Sequence, residues 1–119
     1  MPPQVLVVED NRMLRTLFAS GLTGFGYGVT EAGSLEQARQ VLNETRKPDM
    51  ILLDLQLPDG SGETLIQFVR EELGLPEIRI VVATGIPIDE QHLLGIGANA
   101  VLQKPIEFNA LYAALAGTS

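Results

Sequence analysis

Apolar residues along this 119-residue chain fall into two alternating kinds of run. Val5–Val8, Met50–Leu53, Ile78–Ala83 and Ala100–Leu102 are short and continuously apolar, and Tyr27–Thr30 is a weaker copy of the same pattern. Unbroken apolar character is what a parallel strand needs when helices cover both faces of its sheet. The stretches between carry helical spacing instead. Leu14, Leu17, Phe18 and Leu22 follow a candidate cap at Asn11, and Gly24 or Gly26 stops the run. Ser34 and Gln37 form a capping-box pattern ahead of Leu35, Ala38, Val41 and Leu42. Leu65, Val69 and Leu73 make a third stripe closed by Gly74 and Pro76, and Phe108, Leu111, Tyr112 and Leu115 make the last. Between Pro87 and Gly95/Gly97, Ile88–Ile96 predicts a short fourth helix.

Five strands alternating with five helices predict an α/β fold, a (βα)5 doubly wound parallel sheet. Right-handed crossovers leave few arrangements, of which the flavodoxin-like strand order 2-1-3-4-5 is expected. At this length the chain is expected to be one domain, residues 1–119. In such sheets ligands bind beyond the carboxyl ends of the strands, at the switch point between the first and third.

Composition narrows the function without choosing it. The absence of cysteine removes disulfides, thiolate metal sites and cysteine nucleophiles. No apolar run approaches the ~20 residues of a membrane span, so no membrane association is expected. The start, Met1-Pro2-Pro3-Gln4, lacks the pattern of a secretory leader, and a cytoplasmic location is expected. A net charge of −7 argues against direct nucleic-acid binding, which rests largely on lysine and arginine neutralising phosphates.

Chemistry gathers at the predicted strand ends. The first strand ends in Glu9-Asp10, the third in Asp54, the fourth in Thr84-Gly85, and the fifth runs into Gln103-Lys104-Pro105. Carboxylates crowded together repel one another unless a cation or a proton intervenes. An all-oxygen acidic site suits Mg2+, with Asp10 and Asp54 as direct ligands, Glu9 direct or acting through water, and the backbone carbonyl of Gln56 completing the protein's share. With that charge neutralised, Asp54 can act as a nucleophile in phosphoryl transfer. Lys104 and the Thr84 hydroxyl would then meet the remaining phosphoryl oxygens. Taken singly, each residue has an ordinary reading: loop acids capping a helix, a strand-end hydroxyl, a surface lysine before a turn. Their coincidence at four strand ends is what singles them out. His92, the one histidine, is expected to face solvent on the fourth helix.

Over essentially its whole length the chain resembles the response regulator receiver domains of two-component phosphorelays. The resemblance rests on Glu9-Asp10-Asn11, on Leu52-Leu53-Asp54 followed by Pro58-Asp59-Gly60-Ser61-Gly62, on Ala83-Thr84-Gly85, and on Gly97-Ala98-Asn99-Ala100 leading to Lys104-Pro105. Spacing matches as well, with 44 residues from Asp10 to Asp54, 30 on to Thr84 and 20 on to Lys104. It implies that Asp54 is the phosphoacceptor, Glu9 and Asp10 the metal acids, Thr84 the switch hydroxyl and Lys104 the phosphoryl or carboxylate partner. It also implies a cis Lys104-Pro105 bond and a donor phosphohistidine on a histidine kinase or a histidine phosphotransfer protein. Such a domain is not an enzyme in the ordinary sense, since it catalyses only its own phosphorylation and dephosphorylation.

Two features depart from the family pattern. Val101 stands where a swinging tyrosine or phenylalanine is usual, three residues before the lysine, and valine is stiff and short. The stretch from Thr84 to Lys104 is about two residues short of the usual length, which shortens the fourth helix. The face built from the fourth helix, fifth strand and fifth helix carries Asp89, Glu90 and Glu107 without basic mates, so ion-paired dimerisation there is not expected. Ile86, Ile88, Leu93, Leu94 and Ile96 instead predict an apolar patch on that face, for a downstream protein or a neighbouring domain. The alternative is a receiver-like module that signals by binding, without efficient phosphorylation.

Overall fold

Strand residues in this protein alternate between two cores, and that alternation sets the architecture. The computed structural model describes residues 2–44 and 46–117. In chain order it has β1 (Gln4–Val8), α1 (Arg12–Phe25), β2 (Gly28–Ala32), α2 (Leu35–Leu42) and β3 (Met50–Leu53). A small hairpin of β4 (Gln56–Leu57) and β5 (Gly60–Ser61) leads to α3 (Glu63–Gln67), which runs into a π-helical turn (Phe68–Glu72). Then come β6 (Arg79–Thr84), α4 (Glu90–Ile96), β7 (Ala100–Gln103) and α5 (Phe108–Ala116). Val5 and Val7 pack with Phe18, Leu22, Leu111 and Leu115 under α1 and α5. Leu6 and Val8 pack with Leu35, Ala38, Leu42, Leu65, Ile66 and Leu93 under α2, α3 and α4. The continuous apolar run is therefore two period-2 faces, both buried, each large side chain contributing roughly 1.5–3 kcal/mol by leaving water.

The sheet is parallel throughout, in the order β2-β1-β3-β6-β7. Setting the separate β4–β5 hairpin aside, this is the predicted 2-1-3-4-5 topology, and the α/β fold class stands. Helix ends follow the predicted chemistry. The Asn11 side chain accepts from the Leu14 amide at 3.0 Å, and Gly26, at φ 109°, closes α1 in the left-handed conformation. Ser34 Oγ accepts from the Gln37 amide, but the Gln37 side chain accepts from Gly33 N–H, one residue before the cap.

Three expectations need correction. The third stripe is not one helix: Leu65 lies in α3, but the chain widens into the π-helical turn, whose Phe68 carbonyl accepts from the Leu73 amide at 2.9 Å. Within that turn Arg70 donates to the Gly97 and Leu75 carbonyls and to Asn99 Oδ1, tying the third helical segment to the loop before β7. The fourth helix is shorter than Ile88–Ile96, starting at Glu90 behind an Asp89 cap. The apolar patch predicted around it is also absent among the described residues. Leu93 is buried, Ile86, Ile88 and Ile96 are half-buried against the core, and only Leu94 is exposed. The exposed large apolar side chains lie mainly on α1 instead, at Met13 (85% exposed), Leu17 (55%) and Phe25 (59%).

α5 is fixed against α1 by aromatic contacts. Phe25 and Tyr112 stack with centroids 3.9 Å apart, Phe18 meets Phe108 edge to face, and the Tyr112 hydroxyl donates to the Gly21 carbonyl.

Candidate metal and phosphoryl site

Register decides which residues meet. Val8 lies opposite Leu53 in the β1–β3 pairing, so Glu9 and Asp54 leave the sheet at the same level. Their backbones stay tethered, with Asp54 N–H donating to the Val8 carbonyl and Glu9 N–H to the Ala32 carbonyl. Thr84 lies opposite Gln103 in the β6–β7 pairing, and the Lys104 amide donates to the Thr84 carbonyl. The Lys104-Pro105 bond is cis, as expected from the resemblance.

Carboxylate oxygens of Glu9, Asp10 and Asp54 lie within 4.8 Å of one another. Glu9 and Asp54 are buried while Asp10 is exposed at the mouth of the crevice. Lys104 Nζ lies 2.6 Å from Glu9 Oε1 and 3.4 Å from Asp54 Oδ2, so its first partner is the glutamate rather than the aspartate. Glu9 Oε2 accepts from the Asn11 amide and Asp54 Oδ1 from the Gln56 amide. Burial pushes the Glu9 carboxyl above its ordinary range, although the Lys104 and Asn11 hydrogen bonds pull the other way and the Asp54 charge adds to the rise. Thr84 is fully buried, and its hydroxyl accepts from the Ile86 amide at a long 3.5 Å. Gln56 opens the hairpin two residues beyond Asp54. Val101 is half-buried against the core on β7. His92 is exposed as expected, but its Nε2 lies 2.7 Å from Glu63 Oε1, joining α4 to α3.

Sequence reasoning named Asp59 and Gly62 only as parts of a motif. The Asp59 carboxylate accepts from the Leu35 and Glu36 amides at 2.9 and 3.0 Å, capping α2 from outside that helix. Those two N–H groups hold its carboxyl below the usual range. The hairpin after Asp54 is thereby pinned to α2. Gly62 has ordinary helical backbone, and its role is one of closeness, since any Cβ there would collide with the Asp54 carbonyl oxygen. A glycine at a fixed short distance after a strand-end aspartate is the signal that could have exposed it.

The doubly wound sheet thus gathers three acids, a buried hydroxyl and a lysine at its switch point. Residues 5–116 match the family model described as the response regulator receiver domain, and the chain belongs to that family of two-component systems. It is 39% identical over 112 residues to the KDP operon transcriptional regulatory protein KdpE of Escherichia coli (strain K12), covering 93% of this chain and 48% of that protein. It therefore spans about half the length of KdpE. The polar-differentiation response regulator DivK of Brucella anthropi is 32% identical over 108 residues, 89% of this chain and 87% of DivK. Among solved structures, a response regulator from Burkholderia pseudomallei, described with a phosphorylated aspartic acid, a calcium ion and citrate, superposes with a TM-score of 0.86 at 30% identity. That match covers 95% of this chain and 66% of the other. No helix among the described residues is long and apolar enough to cross a membrane.

Proposed function

We propose that this domain accepts a phosphoryl group on the Asp54 carboxylate in a Mg2+-dependent reaction and thereby switches a protein–protein surface. The observation that carries the proposal is the crevice itself: three carboxylates within 4.8 Å of one another, two of them buried, with the Lys104 ammonium already inside. An all-oxygen acidic donor set of this kind fits Mg2+, held by Asp10 and Asp54, by Glu9 directly or through water, and by the Gln56 carbonyl. When bound, the ion neutralises the acids and polarises a phosphoryl oxygen. Asp54 attacks the phosphorus of a phosphohistidine on a histidine kinase or histidine phosphotransfer protein. A P–O bond forms as the P–N bond breaks, and the released imidazole takes a proton. Lys104 shifts from Glu9 towards the transferred group, and Thr84 meets a further oxygen with its hydroxyl. The domain catalyses only this transfer and the later hydrolysis of the aspartyl phosphate, in which water takes the phosphoryl group as inorganic phosphate and Asp54 regains its carboxylate. The calcium-bound, aspartyl-phosphorylated Burkholderia protein supports the reading through its matching fold.

The donor protein docks over α1, where Met13 and Leu17 are exposed beside a groove of about 420 Å3. That groove is lined by Leu14, Leu17, Phe18, Ile106 and Phe108 and ends at Lys104-Pro105, next to the acids. Acetyl phosphate in Mg2+ is expected to add one phosphoryl group by intact mass, and EDTA to prevent it. Mg2+ at tenfold over its dissociation constant should stabilise the fold by about 1.4 kcal/mol, and Asp10→Ala should remove that gain. A thermal midpoint indifferent to millimolar Mg2+ would count against the site.

Output follows from what moves. Val101 is too short to swing, and α5 is held to α1 by the Phe25–Tyr112 and Phe18–Phe108 contacts. The response is carried by the Gly85–Pro87 loop and by displacement of α4, and is read by a downstream protein or neighbouring domain at the α4–β7–α5 region. NMR of the Mg2+ form with and without beryllofluoride, a phosphoryl mimic, should place shifts in residues 55–60 and 84–96, with little at Val101 or beyond Glu107. Large changes across α5 would sink this account of the output.

A further inference from the structure

Arg12 and Arg15 stand near the N-terminal end of α1, and its first turn holds no acid. That is the wrong end for cations, because the helix dipole is positive there. The arrangement is stabilised from outside the helix. The Arg15 guanidinium is mostly buried, with Nη1 donating to the Glu9 carbonyl at 2.8 Å and Nε to Glu31 Oε1, on β2, at 3.2 Å. Gly33 leaves room for it, since a Cβ at that position would lie 3.0 Å from Nη1. Three separate features, a carbonyl, a carboxylate and a missing side chain, thus build a seat for one guanidinium behind the acid crevice.

Glu9 is held at every polar atom. Its amide donates to Ala32, its carbonyl accepts from Arg15, and its carboxylate oxygens accept from Lys104 and Asn11. The Glu9 carbonyl and the Asp10 amide share one planar peptide unit, so fixing the carbonyl direction also fixes how Asp10 leaves the strand. We infer that Arg15 is a positioning residue for cation binding: through the Glu9 carbonyl it aims the Glu9–Asp10 pair into the crevice, and because its own charge opposes a bound cation, any affinity lost on its removal comes from orientation. The inference rests on the phosphoacceptor reading and adds a residue to it that does not touch the metal or the phosphoryl group.

Outer groups that orient metal ligands typically change affinity by ~10–100-fold when removed. Arg15→Gln is expected to weaken Mg2+ binding about tenfold, at the low end of that range, followed by the amide shifts of Asp10 and Asn11 in an NMR titration. The Mg2+ concentration for half-maximal acetyl phosphate labelling should rise by the same factor, while the rate at saturating Mg2+ changes less than about twofold. Glu31→Gln keeps the guanidinium but loosens its anchor, and should weaken Mg2+ in the same direction by a smaller factor; it carries the test if Arg15→Gln fails to fold. A purely structural arginine would lower the thermal midpoint and leave Mg2+ affinity within twofold of wild type, and that result overturns the inference. Wild-type protein that takes up no Mg2+ overturns the phosphoacceptor reading, and this inference with it. Wild-type binding beside unchanged affinity in both variants overturns this inference alone.

Discussion

Asp54→Asn abolishes labelling by acetyl phosphate and leaves the fold intact. The amide is nearly isosteric with the carboxylate, and its oxygen can still accept from the Gln56 amide, so the loop after β3 keeps its hydrogen bond. The nucleophile, however, is gone, and no amount of Mg2+ restores it. Lys104 is not stranded, because its closer partner is Glu9, at 2.6 Å. Removing one of three clustered charges relieves repulsion, so without Mg2+ the variant should melt at the wild-type temperature or above it. Mg2+ should stabilise it less than wild type, since one ligand is weakened. Intact mass after incubation with acetyl phosphate, alongside thermal melts with and without Mg2+, checks each part. Labelling that survives Asp54→Asn and disappears with Glu9→Gln or Asp10→Asn would move the phosphoacceptor to another acid of the cluster.

What the sequence made legible is what short-range pattern encodes. Apolar runs with glycine and proline punctuation located the five main strands to within a residue or two. β1, β3 and β6, which are buried on both faces, stood out most cleanly, whereas β2, with Thr30 and Glu31 exposed, left only a weak run. The site was legible for a related reason. In a parallel sheet the residue after each strand emerges at one edge, so Glu9, Asp54 and Lys104 meet once the strand order is known. The misses have a different physical origin. Stretching a helix into a π-helical turn leaves Leu65, Val69 and Leu73 at acceptable helical spacing, so periodicity does not reveal it. Ile86, Ile88 and Ile96 read as surplus to a short helix over Ile88–Ile96, yet the loop before α4 and that helix's own end turn them onto the core. The Asp59 cap on α2 and the Arg15 contact with Glu31 join residues 24 and 16 positions apart, through side chains whose partners only the fold specifies.

Gly62→Ala is expected to slow phosphoryl transfer about a hundredfold while lowering stability only modestly, because it moves the nucleophile without removing any reacting group. The backbone at position 62, φ −60° and ψ −19°, is ordinary helical conformation that alanine adopts freely, so the effect is contact alone. The new Cβ would collide with the Asp54 carbonyl oxygen and stand 3.0 Å from Leu55 Cα. Neither atom is the tip of a flexible side chain. The Asp54 amide is bonded to the Val8 carbonyl, and Gly62 N–H donates to the Leu55 carbonyl at 2.8 Å, so the strain is shared between the end of β3 and the start of α3. Overpacking of this kind costs about 1–3 kcal/mol, partly offset by the roughly 0.4–1 kcal/mol that alanine gains over glycine in the unfolded chain. The chain stays folded, but the Asp54 carboxylate is displaced, and a misplacement of ~1 Å can cost about a hundredfold in rate. Gly24→Ala is the matched control, since nothing lies within 4 Å of a Cβ there. It should be neutral or slightly stabilising, with unchanged labelling. Labelling rates at saturating Mg2+, read beside urea unfolding curves for the two variants, separate displacement of Asp54 from general loss of stability. A Gly62→Ala protein that labels at the wild-type rate would mean the β4–β5 hairpin yields to the added methyl and Asp54 does not.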